Sequence, residues 1–177
     1  MDKTPVSSVR RWRTVLAVLA GCLVLTACEA PLPDVTFYGN GSAVHTGPTT
    51  ICAVDRVQAV IECPDTATGS LPRLTLRPGD RVQINVPTEI AKSVWGVEYT
   101  YQTEDGAVVR GRPLTFVDGR LAASVTPPTS QDQLLTVAVR DGFLPVVGDD
   151  GNEAIQPTRA WQLLVDPVPA SAATSAE

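Results

Sequence analysis

An all-β fold, with two antiparallel sheets stacked face to face, is what this 177-residue chain predicts, on three observations. Short apolar–polar alternations recur every ten or so residues, Gly, Pro and Asp punctuate them, and no segment beyond residue 27 carries a convincing helical stripe. The fifteen prolines suit strand edges and turns, not helix interiors.

The elements follow in chain order. Asp34 to Tyr38 opens the domain and runs into the turn Gly39-Asn40-Gly41-Ser42. Leu74 to Leu76 leads through Pro78-Gly79-Asp80 into the alternating strand Val82-Gln83-Ile84-Asn85-Val86, and Pro87 to Lys92 has room for one helical turn. Trp95, Val97, Tyr99 and Tyr101 alternate with Gly96, Glu98, Thr100 and Gln102. Leu114 and Phe116 precede the turn Asp118-Gly119, with Leu121 to Val125 behind it. Leu135, Val137 and Val139 alternate with Thr136 and Ala138, and Trp161, Leu163 and Val165 close the fold. Residues 34–166 therefore read as an immunoglobulin-like antiparallel β-sandwich, with Trp95, Phe116, Leu135, Val137 and Trp161 in its core. The longest connection, Gly142 to Pro157, is expected to be a surface excursion. The tail, 167–177, is Pro, Ala, Ser and Thr without periodicity, and disorder is expected there.

The first 27 residues have a different character. Lys3, Arg10, Arg11 and Arg13 make a basic segment, followed by an apolar run from Thr14 to Ala27. That run is too short for a bilayer span, which needs about 20 residues, and suits a secretory signal. Leu25-Thr26-Ala27-Cys28 has the form of a bacterial lipobox. Residues 1–27 would then be removed, and Cys28 would carry diacylglycerol as the new N-terminus. Two or more acyl chains on one residue give stable anchoring. Residues 28–33 form the lipidated Cys and a short tether. Glu29 to Pro33 spans under about 20 Å even when extended, so the domain is expected to lie against the extracytoplasmic face of the membrane. The paired arginines invite a twin-arginine export reading, but Trp12-Arg13 fits that signal poorly and ordinary export is expected.

The leader holds four basic residues and one acidic; without it the chain has ten basic and eighteen acidic residues, a net charge of −8 over 150 residues. Nucleic-acid binding is excluded on that charge. Cys22 would leave with the leader and Cys28 is consumed by lipid, so Cys52 and Cys63 remain as an even pair in an oxidising compartment. A disulfide between them is expected. The chain-entropy argument gives so short a loop about 3 kcal/mol. The alternative, one cysteine as nucleophile with His45 as its base, requires the other to stay reduced outside the cell.

Little in the sequence supports catalysis. There is one histidine, and the single methionine is the first residue, so zinc and copper sites lack ligands. No Gly-x-Ser-x-Gly elbow, no Ser-x-x-Lys pair and no phosphate-cradling loop with lysine occurs. Neither a metal nor a cofactor is expected. Glu104-Asp105 and Asp149-Asp150 both sit beside glycine, where turn chemistry accounts for them. Asp149-Asp150-Gly151-Asn152-Glu153 lacks the alternate-position spacing of a calcium loop. One cluster stands above background. With Asp105-Gly106 as a two-residue hairpin turn, Tyr101 would pair with Arg110 and Tyr99 with Arg112. Rings and guanidinium groups on one face could then hold an anionic or sugar-like ligand. The simpler reading is that arginine stems cover the rings.

The order of these features resembles an actinobacterial family of secreted lipoproteins whose domain has no known function. The matching parts are the lipobox at Cys28, Val35-Thr36-Phe37-Tyr38, the Cys52 and Cys63 pair, Leu76-Arg77-Pro78-Gly79-Asp80, Trp95 in its alternating strand, Gln133-Leu134-Leu135-Thr136 and Ala160-Trp161. The resemblance implies an envelope lipoprotein with no established reaction and supplies no catalytic residue. The expected function is a non-catalytic binding or assembly module in the cell envelope. It would be held to the membrane by lipid on Cys28, with an envelope protein or wall component as partner. Two other readings stand beside it: a small carboxylate-dependent hydrolase of wall polymer, and a carrier of lipid or a small ligand.

Overall fold

A computed structural model describes residues 31–55, 57, 60–64, 67, 70–147 and 152–168. The leader, Cys28, the run from Gly148 to Gly151 and residues 169–177 lie outside the described residues. Among the described residues no helix is long and apolar enough to cross a membrane.

The chain is nearly all strand. It forms β1 (Val35–Gly39), β2 (Ser42–Thr46), β3 (Thr50–Ile51), β4 (Ala53–Asp55), β5 (Val60–Glu62), β6 (Arg73–Leu76) and β7 (Val82–Asn85). A single helical turn, α1 (Thr88–Ala91), separates these from β8 (Trp95–Gln102), β9 (Val108–Arg110), β10 (Leu114–Phe116), β11 (Ala122–Val125) and β12 (Gln133–Asp141). The last strands are β13 (Leu144–Val147), β14 (Glu153–Gln156) and β15 (Arg159–Pro167).

A smaller sheet has the order β11-β7-β1-β2, and a larger one runs β10-β8-β12-β15-β3, with β9 also on β8 and β6 on β15. The β6–β15 pair is parallel; every other pairing in the two sheets is antiparallel. The chain passes from β7 to β8 and from β11 to β12 across the two sheets. That leaves β7 beside β11 in one and β8, β12 and β15 adjacent in the other. This is the strand order of an immunoglobulin-type sandwich. The hairpins β4–β5 and β13–β14 are small separate ladders.

Alternation explains the core. Trp95 and Val97 on β8, Val137 and Val139 on β12, and Trp161, Leu163 and Val165 on β15 face inward against Val35, Phe37, Val82 and Ile84 of the smaller sheet. Trp95 and Trp161 are fully buried, and each finds a carbonyl for its indole N–H: Trp95 Nε1 donates to Arg120 O at 3.2 Å and Trp161 Nε1 to Pro33 O at 2.9 Å. Burying the hydrocarbon part of one such side chain contributes about 1.5–3 kcal/mol.

Four expectations need correction. Leu135 is not in the core. A bulge between Leu134 and Thr136 shifts the register of β12, so Leu134 packs inside and Leu135 is left half-buried. Gly142 to Pro157 is not a plain loop, because β13 and β14 pair within it, Leu144 with Gln156 through Val147 with Glu153. Pro167, placed in the tail, is the last residue of β15 and pairs with Leu76.

The fourth correction dissolves the Tyr–Arg cluster. The turn after β8 has three residues, closed by Thr103 N donating to Ala107 O at 2.9 Å, with Gly106 at φ +88°. One added turn residue slips the ladder, so Tyr101 pairs with Val109 and Arg110 with Thr100. Arg110 therefore lies on the outer face while Tyr99 and Tyr101 pack against the core. Gly111 allows the Tyr99 ring to lie over the backbone; a Cβ at Gly111 would fall 2.1 Å from the ring.

Candidate functional site

The even-numbered residues of β8 point away from the core and, with their neighbours, make the outer face of the larger sheet. Gly96, Arg140, Ala160 and Thr50 form one cross-strand row, and Glu98, Ala138 and Gln162 the next. The Cys52–Cys63 disulfide, formed as expected with Cα atoms 4.1 Å apart, closes the β4–β5 hairpin over this face. Gln156 Nε2 lies 3.2 Å from Cys63 Sγ. Between the hairpin and the sheet is a polar recess of about 420 Å³ with Glu98, Arg140 and Gln162 in its floor. Arg140 Nη2 approaches Glu98 Oε2 at 3.5 Å, and the buried Arg140 Nε has no partner among the described residues.

A second opening, about 680 Å³, differs in chemistry. Ser93 and Val94 from the α1–β8 loop, Thr115 of β10, Phe143 of the β12–β13 turn, Pro145 of β13 and Ile155 of β14 line it, and among the described residues no ionisable side chain does. Its volume is that of a site for a drug-sized molecule. It exists because β13 and β14 pair beyond the end of the sheet, which brings Pro145 and Ile155 opposite β10.

A buried carboxylate fixes the base of that hairpin. Asp141, with no exposed surface, accepts from Ser93 Oγ at 2.7 Å and Gly142 N at 2.6 Å, and pairs with the Arg159 guanidinium. Thr158 Oγ1 donates to Gly142 O at 2.9 Å. The loop before β8, the end of β12 and the start of β15 are therefore tied at one point, and Ser93 contributes to both the tie and the cleft.

The other chemistry-bearing residues do not converge. His45 sits on β2 opposite Thr36, its Nδ1 2.8 Å from Thr36 Oγ1, and the disulfide leaves neither cysteine as a thiol for it to activate. Glu104 and Asp105 are in the β8–β9 turn, where the Thr103 hydroxyl holds the Asp105 carboxyl below its ordinary value. The Arg73 guanidinium does the same to Asp166. Arg120 draws Asp118 down to about 2, chiefly through side-chain hydrogen bonds, from Nε at 2.9 and 3.0 Å and from Nη2 at 2.5 Å. Asp149 and Asp150 lie outside the described residues. Among the described residues no group of three or more His, Cys, Asp or Glu could hold a metal.

The Asp118 shift gives a titration test. A lowered folded-state value means that the pair contributes stability above the unfolded value near 3.8, and loses it as pH falls through about 2. Carboxyl carbon resonances followed by NMR are expected to titrate near 2 for Asp118, and to return toward the ordinary range in Arg120→Gln. An unchanged midpoint in that variant would refute the assignment of the shift to Arg120.

Sequence reasoning missed the apolar cleft. A signal was present: Phe143-Leu144-Pro145-Val146-Val147 is an unbroken apolar run inside a segment read as a surface excursion.

A family model described as a protein of unknown function, DUF2771, matches residues 28–166. The chain belongs to that family. Neither the curated proteins nor the solved structures give a match.

Proposed function

We propose that this DUF2771 protein is a lipoprotein anchored through Cys28 at the extracytoplasmic face of the membrane, and that its sandwich is a non-catalytic binding or assembly module of the envelope. The observation that carries the reading is the cleft at Val94, Phe143, Pro145 and Ile155. It is large and apolar, and among the described residues the side chains it offers for orientation are the hydroxyls of Ser93 and Thr115. Such a surface binds without moving protons. A carboxylate-dependent hydrolase calls for converging acids with at least one raised pKa. The displaced carboxyls of Asp105, Asp118 and Asp166 are all shifted downward, each by its own partner in a separate part of the fold.

The test joins fractionation to crosslinking. Cys28→Ala protein is expected to leave the membrane fraction while its thermal unfolding is unchanged; continued membrane association in that variant would end the anchoring half of the proposal. A photo-crosslinking residue at Val94 is expected to capture an enriched envelope component in intact cells, and to lose it when combined with Cys28→Ala. Capture of abundant bystanders alone would refute the binding role.

A further inference from the structure

The position at which the chain enters the sandwich is fixed. Trp161 Nε1 holds the Pro33 carbonyl at 2.9 Å, and Val35, two residues on, is fully buried. Ladder registers show which end this is. Thr36 pairs with Asn85 where β7 leaves for α1, and Trp95, Asp141, Arg159 and Phe116 meet at the corresponding end of the larger sheet. The α1–β8 loop, the loop 117–121 and the base of the β13–β14 hairpin are therefore all at the end where Pro33 enters.

That same end carries a set of exposed apolar side chains. Beside the cleft it displays Leu32, Val94, Val117, Leu121 and Ile155, with exposures of 49, 42, 77, 51 and 73%. Loop 117–121 is held in place to do so: Arg120 is bonded to Asp118, its guanidinium lies 4.8 Å from the Phe116 ring, and Leu121 O accepts from Val86 N at 2.9 Å. The Asp118–Arg120 charges neutralise each other, and Glu89 and Lys92 of the α1 region are of opposite sign. The far end carries the Glu104-Asp105 turn and the Asp80 turn, while Asp34, Glu89, Asp118 and Glu153 lie at the entry end.

We infer that the cleft and its apolar surround are a lipid contact, taking acyl chains of the bilayer that anchors Cys28. The inference rests on the anchored reading above. Between Cys28 and the pinned Pro33 the extended chain spans under about 20 Å, so this end is the one the tether holds against the membrane. Lipid is thus the apolar material nearest the cleft. Exposed apolar patches of this kind mark interaction surfaces, and a second membrane signal strengthens attachment by an acyl anchor.

The test uses the full lipidated chain in vesicles of phosphatidylethanolamine and phosphatidylglycerol with brominated acyl chains. With Cys28 acylated and Cys52 bonded to Cys63, a cysteine introduced at Ile155, Val94 or Val108 is the one free thiol for a small bimane label. Val108 lies at the far end, beside Gln102. Emission from Ile155→Cys and Val94→Cys is expected to fall to less than half on brominated lipid, with Val108→Cys unchanged. Val94→Cys serves if Ile155→Cys fails to fold. Equal emission from all three, quenched or not, would overturn the lipid contact while leaving anchoring intact. The mass of the Cys28 peptide separates the two claims, since absence of an acyl adduct would remove the anchoring and the inference with it.

Discussion

Asp141→Ala is expected to lower the unfolding free energy by about 3–5 kcal/mol, the range for removing one partner of a buried ion pair. The cost has three parts. Gly142 N loses its acceptor, Ser93 Oγ keeps only the Ile90 carbonyl at 3.0 Å, and the Arg159 guanidinium, 30% exposed, is left beside Trp161 without its counter-charge. Asp141→Asn keeps an oxygen of similar position and should cost less. Arg159→Met should be comparable to Asp141→Ala, because it leaves the fully buried carboxylate uncompensated. The two changes together should cost less than their sum, since both sides of one pair are then gone. Urea midpoints at constant slope would measure this. Strict additivity would mean that Asp141 and Arg159 act independently, and that the tie between β12 and β15 does not depend on their charge. The hairpin should respond before the sheets do. Its base hangs on Gly142 and Thr158, so amide exchange in β13 and β14 is expected to accelerate more than in β8.

Which parts of this molecule were legible in the sequence follows from the range of the forces involved. Inside-out alternation is local and strong, so β1, β6, β7, β8, β10 and β11 were foreseen within a residue, and β12 and β15 were foreseen two residues short at each end. Register depends on single residues at turns and bulges. Asp105-Gly106 satisfies a two-residue hairpin as well as it does the observed three-residue one, and the Thr103–Ala107 closure that decides between them is invisible in composition. Leu134 and Leu135 are adjacent and identical, so nothing local says which of them a bulge will turn inward. The disulfide was legible because cysteine pairing is a matter of counting. The paired arginine and tyrosine face was not real, and it failed for the reason that makes sheets sensitive to register: one slip reverses every side chain.

The site was less legible than the fold. Charged residues are ordinarily read as exposed, and Asp141 is fully buried because three donors from three segments meet it there. No spacing announces such a meeting. The cleft likewise needs β10, β13 and β14 to come together, and β14 had no signal beyond Ala154-Ile155. The apolar run from Phe143 to Val147 did announce that the excursion had somewhere to pack. Reading it as a strand would have placed apolar side chains next to the last residues of β12, where the cleft is found.

Trp161 connects this architecture to Pro33, where the proposed tether would begin, and its replacement should separate packing from attachment. Trp161→Ala removes one of the two fully buried tryptophans of the larger sheet and is expected to cost about 3–5 kcal/mol. That is enough to raise the unfolded population markedly in a domain of ordinary stability. Trp161→Phe keeps most of the apolar volume but removes the donor to the Pro33 carbonyl, and should cost about 1 kcal/mol for the hydrogen bond with a similar amount for lost contact. Calorimetric or urea unfolding ranks the two. The second readout is local. In Trp161→Phe the amide of Val35 should exchange faster while those of Val137 and Val139 keep their protection, because β12 is still held by β8. If Val35 stays fully protected, the Pro33 bond is not what fixes the entry point. On the proposed anchoring, the segment freed at Pro33 gains reach between lipid and sandwich, and the domain loses the constraint that would turn its apolar end toward the bilayer. Acyl-chain quenching of a label at Ile155 should then weaken in Trp161→Phe even though the protein stays folded and membrane-bound. A variant with full quenching and a released Val35 would show that the apolar end finds lipid by its own affinity, with the short tether playing no part in aiming it.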